Sequence, residues 1–167
     1  MRMLGWLGSL AVLGLIVAVS VGDEEKIPLA KLPDKVTAAV KAKFPDAELL
    51  GASTEKENGE LVYEVSLKYK GHHYDVTLKP DGTITDIEKT IAAKDLPKAV
   101  AKALEDKYPK ATYKIVEEIF KVEKKEEKLA YYEVLLVTAE KQALEVQVTA
   151  EGKIINEEKK GSDKDDK

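Results

Sequence analysis

The stretch LPDKVTAAVKAKFPDA at residues 32–47 returns as LPKAVAKALEDKYPKA at residues 96–111, which is 64 positions further along without a gap. The tripeptide YEV at residues 63–65 also returns, at residues 132–134. A match of this length between the two halves of a chain indicates that one folding unit occurs twice. We therefore predict that the fold is a tandem duplication.

Each repeated stretch has the period of an amphipathic helix. Apolar residues recur at every fourth position of the first stretch, at Leu32, Val36, Val40 and Phe44. A proline follows the first leucine and is tolerated in a first helical turn, because its missing N–H would have no partner there. A second proline follows Phe44 and ends the helix. Since the second stretch repeats these features, both modules are predicted to begin with one helix.

After each helix the sequence changes to the alternating pattern of β-strands. The strands predicted in the first half are residues 49–57, 61–70, 73–79 and 83–89, with Asn58-Gly59 as a hairpin turn. The second half follows the same order, with a longer hairpin loop at residues 123–128. The predicted fold class is α+β: two tandem modules, residues 32–90 and 91–158, each with one helix packed on a four-stranded antiparallel sheet.

One helix covers only one side of a sheet, so the other side of each sheet is predicted to be open. The residues expected there include Val62 and Glu64 in the first module and Tyr131, Glu133, Leu135 and Val137 in the second. Because contiguous exposed apolar residues often mark contact sites, these six residues are the candidates for a binding face. The alternative is that the apolar residues of the second module pack against the first module or the C-terminal tail.

The N-terminal segment has the pattern of a signal peptide, predicted at residues 1–20. Arg2 precedes an apolar run at residues 4–19, and small residues at the end of the run suit cleavage after Ser20, with Gly22 as the second choice. The alternative is an uncleaved anchor, because the run approaches the roughly 18–20 residues that span a bilayer. The predicted location is therefore periplasmic or secreted, with membrane contact only through this segment if it is retained.

Residues 21–31 are predicted to be a polar linker and residues 159–167 a disordered charged tail.

The composition narrows the possible classes of function. The 27 basic and 31 acidic residues are interspersed and give a net charge of −4, whereas a nucleic-acid-binding protein would show a basic stripe. The chain has no cysteine, which excludes disulfides and cysteine-based metal sites.

No group of residues has the spacing of a catalytic site. His72 and His73 are the only histidines, and adjacent residues of a strand point to opposite faces, so they are not expected to chelate one metal. Paired acids such as Glu117-Glu118 are interleaved with lysines and are interpreted as a solvated face. The sequence therefore predicts neither an enzyme nor a metal or cofactor site.

The repeated motifs resemble those of the PepSY-like family, also described as β-lactamase-inhibitor-like. The motif is Leu-Pro-x-x-Val, then an aromatic residue with Pro-x-Ala, then Tyr-Glu-Val, then Asp-Gly or Glu-Gly. In the first copy it is carried by Leu32, Pro33, Val36, Phe44, Pro45, Ala47, Tyr63, Glu64, Val65, Asp81 and Gly82. In the second copy it is carried by Leu96, Pro97, Val100, Tyr108, Pro109, Ala111, Tyr132, Glu133, Val134 and Gly152, with Glu151 in place of the aspartate.

The resemblance covers about residues 28–158 and implies two tandem copies of an exported, non-catalytic domain. Domains of this type are associated with restraining peptidases. The resemblance implies no catalytic residue at any position of this sequence. The leading hypothesis is a binding protein that inhibits or regulates an extracytoplasmic peptidase or other envelope protein through its open sheet faces. The alternative is a structural envelope module, or one that senses a peptide or small ligand.

Overall fold

The computed structural model describes residues 24–160. The predicted signal peptide and residues 161–167 of the predicted tail lie outside this range. The strands are β1 (Glu25–Ile27), β2 (Glu48–Glu57), β3 (Glu60–Tyr69), β4 (His72–Leu78), β5 (Ile84–Thr90), β6 (Thr112–Glu123), β7 (Glu126–Val137), β8 (Ala143–Val148) and β9 (Ile154–Lys159). The helices are α1 (Asp34–Lys43) and α2 (Lys98–Lys107), each preceded by a short 3-10 turn.

All nine strands form one antiparallel sheet whose strand order follows the chain. The prediction of two modules, each with its own four-stranded sheet, is therefore wrong, and the fold is mostly β with two helices. The two sets of strands join where β5 pairs with β6, from Asp86 opposite Lys121 to Thr90 opposite Glu117. Separate sheets would leave the N–H and C=O groups of both edges unpaired, and the join satisfies them.

The first strand lies within residues 21–31, the segment predicted to be a linker. Glu25 lies opposite Thr54, and Ile27 lies opposite Ala52, so β1 extends the sheet beyond β2. The short strand covers part of the backbone edge that β2 would otherwise expose.

Both helices pack on the same face of the sheet. On β6, Val116 belongs to the core beneath α2, whereas Phe120 packs against the core beneath α1. These two residues are four positions apart on one strand, so they share a face. The helix stripes are the reason for this packing: Val36 in α1 and Val100 in α2 are each 0% exposed. The sheet therefore has one helix-covered face and one face without a helix among the described residues.

The hairpin between β6 and β7 corrects a second expectation. A loop was predicted at residues 123–128, but β6 continues to Glu123 and β7 begins at Glu126. Only Lys124 and Lys125 form the turn, both with positive φ of 51° and 69°. The extra residues of the second half lengthen the two strands to 12 residues each, compared with 10 in β2 and β3. Continued strand pairing satisfies more backbone groups than an open loop would.

Tyr108 gives a first test of the packing. It occupies the helix-end position that Phe44 occupies in the first half, and its hydroxyl is buried without a hydrogen-bond partner among the described residues. We expect Tyr108→Phe to raise the free energy of unfolding by about 1 kcal/mol, because the unpaired hydroxyl no longer has to be desolvated. Urea denaturation measures the change.

Tyr69→Phe is the control for that substitution, because its hydroxyl is not among the buried unpaired groups. It should change the stability by less than about 0.5 kcal/mol. A Tyr108→Phe variant less stable than the natural chain would contradict this account of the second core.

Candidate functional site: the open face of the sheet

We call the face away from both helices the open face. One row of paired residues crosses five strands on this face. The row consists of Ser53, Glu64, Thr77, Asp86 and Lys121, each opposite the next. Ser53 is only 4% exposed and Thr77 only 5%, although no helix lies on this side. Side chains of the neighbouring strands therefore cover them.

All six residues predicted for the binding face point to the open face, but Val62 is only 3% exposed and the other five are partly buried. Glu64 lies opposite Thr77 on β4, and on β7 Tyr131 lies opposite Ile119. The six residues form two groups, because β4, β5 and β6 separate β3 from β7. In a flat sheet that distance would be about 19 Å, at roughly 4.8 Å per strand. The structure thus brings each group to the same face without bringing the two groups into contact.

Between the two groups lies a set of carboxylates that the sequence analysis did not propose. We use the name acidic row for these five residues, one from each of β3 to β7: Glu64, Asp75, Glu88, Glu117 and Glu133. Asp75 lies directly opposite Glu88, and Glu117 lies directly opposite Glu133. Like charges directly opposite each other destabilise a sheet. Each pair therefore lowers the stability of the fold at any pH at which both of its carboxylates are ionised.

The middle of the acidic row converges. Carboxylate oxygens of Asp75, Glu88 and Glu117 all lie within 4.8 Å of one another. These residues come from three successive strands, whose outer two are about 9.6 Å apart in a flat sheet. Their side chains therefore lean together over β5, at the junction between the two halves of the chain.

Among the described residues, these three carboxylates are the group that lies close enough together to contribute ligands to one metal ion. Carboxylate oxygens suit Ca²⁺, which takes 6–8 oxygen ligands, about twice what three monodentate carboxylates supply. The histidines do not complete such a site together. His73 contacts Asp75 at 3.1 Å on the open face, whereas the ring of His72 lies on the other face near Thr90 and Tyr74.

Burial and mutual repulsion change the protonation of the acidic row. Burial, followed by the charges of Glu117 and Glu133, raises the pKa of Glu88 to about 8. Burial, followed by the charge of Asp75, raises the pKa of Glu64 to about 7. Burial also raises the pKa values of Glu117 and Glu133. Part of this surface is therefore protonated near neutral pH.

Hydrogen bonds hold some of these carboxylates in place. Thr90 Oγ1 donates to Glu117 Oε1 at 3.2 Å, and Gln147 Nε2 donates to Glu133 Oε2 at 2.9 Å. The Ser66 hydroxyl donates to Asp75. Bonds of this kind fix where the carboxylate oxygens point, so the surface is partly preorganised.

Tyr131 extends the acidic row with an aromatic ring. Burial, followed by the charges of Glu133 and Glu88, raises the pKa of its hydroxyl. In the sheet, Tyr131 lies opposite Ile119, which in turn lies opposite Glu88 of the acidic row. Three further apolar residues continue the surface along the same side of β6 and β7: Ile115, Leu135 and Val137.

A sequence signal for the acidic row was present and was misinterpreted. The charge pattern predicts one solvated pair at Glu117 and Glu118, but adjacent strand residues point to opposite faces. Glu118 forms an ion pair with Lys89 at 3.0 Å on the helix side, and Glu117 faces the open side. One acid at an outward position of five successive strands would have identified the row.

Between residues 24 and 160, no helix has the length and apolar character to cross a membrane.

The chain matches two known protein families. Residues 61–156, more than half of the chain, match the family described as "Putative beta-lactamase-inhibitor-like, PepSY-like". The chain belongs to the PepSY-like family. Residues 32–88 of this PepSY-like chain also match the family described as "Peptidase propeptide and YPEB domain". Both descriptions name inhibitor-like or propeptide modules. The two matched ranges overlap and the longer one crosses both halves, so they do not divide the chain into two copies.

Solved structures share the fold at low identity. A BLIP-like protein of Bacteroides fragilis is 16% identical, with a TM-score of 0.60 over 82% of this chain and 92% of that one. A DUF2874 family protein of Bacteroides uniformis is 18% identical, with a TM-score of 0.62 over 76% and 88%. A chain of Bacteroides eggerthii described among "putative periplasmic proteins" is 14% identical, with a TM-score of 0.61 over 76% and 88%. No curated protein sequence matches the chain significantly.

Proposed function

We propose that this PepSY-like chain is an exported, non-catalytic binding protein. Its open face would contact an extracytoplasmic peptidase or other envelope protein, and would inhibit or regulate that protein by covering it. The family descriptions support a binding module, since they name an inhibitor-like domain and a propeptide domain and no reaction. The periplasmic description of a structural neighbour supports the location, together with the apolar stretch at residues 4–19.

The observation that carries the proposal is the composition of the open face. No helix covers this face among residues 24–160, yet it holds a continuous acidic row beside Tyr131, Leu135 and Val137. Aromatic and aliphatic anchors next to charges are typical of protein contact sites. A partner with basic side chains around an apolar patch complements this surface, and it would relieve the repulsion within the row.

The order of elements supports a related proposal about domain organisation. A helix followed by four antiparallel strands occurs twice, as α1 with β2–β5 and α2 with β6–β9. We propose that residues 32–90 and 91–158 are two family copies that share one sheet. The acidic row crosses their junction, so a partner would contact both copies at once.

A second candidate is a module that senses a small ligand. The convergence of Asp75, Glu88 and Glu117 within 4.8 Å favours it, because such a cluster suits a compact cationic group. Co-purification of small molecules alone, without a stoichiometric protein, would favour this second function.

A double substitution on β7 tests the docking face. We expect Tyr131→Asp with Leu135→Asp to weaken binding of a protein partner at least a hundredfold, because two anchors are lost and two like charges are added. Photo-crosslinking in the extracytoplasmic fraction identifies the partner, and calorimetry with the purified partner measures the affinity. Circular dichroism checks that the variant is folded.

Leu129→Asp provides the matched control. Leu129 lies on the same strand and is 38% exposed, but it pairs with Phe120 and faces the helix side. This variant should bind the partner normally. Equal loss in both variants, or no loss in the double variant, would contradict docking on the open face. Loss of folding in the double variant would show instead that these residues serve as packing.

A further inference from the structure

A groove on the helix side of the sheet lies between α1 and the β6–β7 hairpin. β6 pairs with β5 only as far as Lys121, but it continues to Glu123, so the tip of the hairpin projects past the last β5–β6 pair. Lys43 of α1 and Glu127 of the hairpin form an ion pair across the gap. The space they enclose has a volume of about 580 Å³. Small-molecule sites occupy about 300–1,000 Å³.

The floor of this groove is apolar. It is formed by Ala39, Ile84, Ile87 and Val122. At two of these four residues the backbone is already hydrogen-bonded within the protein, because Ile87 lies opposite Phe120 in the sheet and Ala39 lies within α1. A bound peptide would need partners for its own N–H and C=O groups, and the backbone of Ala39 and Ile87 offers none. An alkyl chain needs no such partners, so it fits the floor better than a peptide.

Two lysines give the groove its positive wall. Lys124 and Lys125 form the turn of the hairpin and line the groove, whereas the third lysine, Lys43, is paired with Glu127. The other carboxylate in the lining, Asp81, accepts a hydrogen bond from the Thr83 N–H at 2.9 Å, so the lining keeps an excess of one positive charge. Both turn residues have positive φ, which side chains other than glycine adopt at a cost. The corresponding turn of the first half is Asn58-Gly59, which suits that conformation. The second half thus has two cationic side chains where turn geometry favours asparagine and glycine.

We propose that this groove binds a small amphiphilic carboxylate of the fatty-acid type. Its alkyl chain would lie along the apolar floor, and its carboxylate would lie between Lys124 and Lys125. The site is on the opposite side of the sheet from the open face, so it is independent of the function proposed above. β9 is the last strand of the described range, so no equivalent hairpin lies beside α2.

Calorimetric titration of the folded chain with hexanoate, octanoate and 1-octanol tests the proposal. Each added methylene should tighten binding about fourfold, which makes octanoate about fifteenfold tighter than hexanoate. Octanoate should also bind more tightly than 1-octanol, which lacks the charge. No measurable octanoate binding at millimolar concentration, or equal affinities for the two acids, would overturn the proposal.

Three variants locate the site. Lys124→Gln with Lys125→Gln should weaken octanoate binding about tenfold and leave 1-octanol unchanged. Lys128→Gln is the matched control, since it lies in the same hairpin opposite Lys121 on the open face and should have no effect. Ala42→Phe, which places a ring in the groove, should abolish binding of both ligands. Unchanged octanoate binding in the lysine variant or in Ala42→Phe would place the ligand elsewhere and overturn the proposal.

Discussion

Gly82→Ala is expected to lower the free energy of unfolding by about 3 kcal/mol, and Gly152→Ala by a similar amount. Gly82 has φ of +87° in the turn between β4 and β5, and Gly152 has φ of +86° in the turn between β8 and β9. A Cβ at Gly82 would lie 2.6 Å from the carbonyl oxygen of Lys35, and one at Gly152 would lie 2.5 Å from that of Ala99. Both oxygens belong to the first turns of the helices, so the helices would have to move away from the sheet.

Gly71→Ala separates the two causes of this loss. Gly71 has φ of +86°, nearly the same as Gly82, but a Cβ there would meet no atom within 4 Å. It should lose only the conformational contribution, about 1–2 kcal/mol. Urea denaturation of the three variants measures the difference. If Gly71→Ala and Gly82→Ala lose equal stability, the close approach of the turns to the helices does not contribute.

Glu88→Gln is expected to stabilise the fold at pH 8 and to change little at pH 4.5. The pKa of Glu88 is raised to about 8 in the folded chain, chiefly by burial. The folded state therefore keeps a proton that the unfolded state releases above a pKa of about 4.3. That contribution is fully present below the unfolded pKa and is lost as the pH rises through about 8.

Glutamine imitates the protonated side chain and does not titrate. The gain at pH 8 should be about 1–2 kcal/mol, which allows for the solvent screening of a partly exposed group. The same linkage should make the natural chain less stable at pH 8 than at pH 5, with Glu64 contributing in the same direction. Urea denaturation across this range provides the measurement.

Glu118→Gln is the control for the pH experiment. Glu118 follows Glu117 on β6 but points to the helix side, where it pairs with Lys89. Its removal should lower the stability slightly at pH 8, by up to about 1 kcal/mol. A Glu88→Gln variant with the same stability change at pH 4.5 and pH 8 would show that Glu88 is not protonated in the folded chain.

The open face was only partly predictable from the sequence. Alternation along β7 correctly placed Tyr131, Glu133, Leu135 and Val137 on one face, because side-chain direction within a strand is a local property. Asp75 and Glu88 were missed, since their proximity depends on which strands pair and in which register. Register arises from contacts between residues far apart in the chain, and a single sequence carries no direct record of them.

What the sequence determined by itself was the position of each helix, most strand positions and the apolar side of each element. The spacing of Val36 and Val40, and the prolines that flank each helix, act within a few residues, so local sterics and hydrophobicity are sufficient. Only the tertiary structure decided that β5 and β6 join two sets of strands into one sheet. A strand edge presents the same N–H and C=O groups whatever its sequence, so its partner depends on the assembled fold.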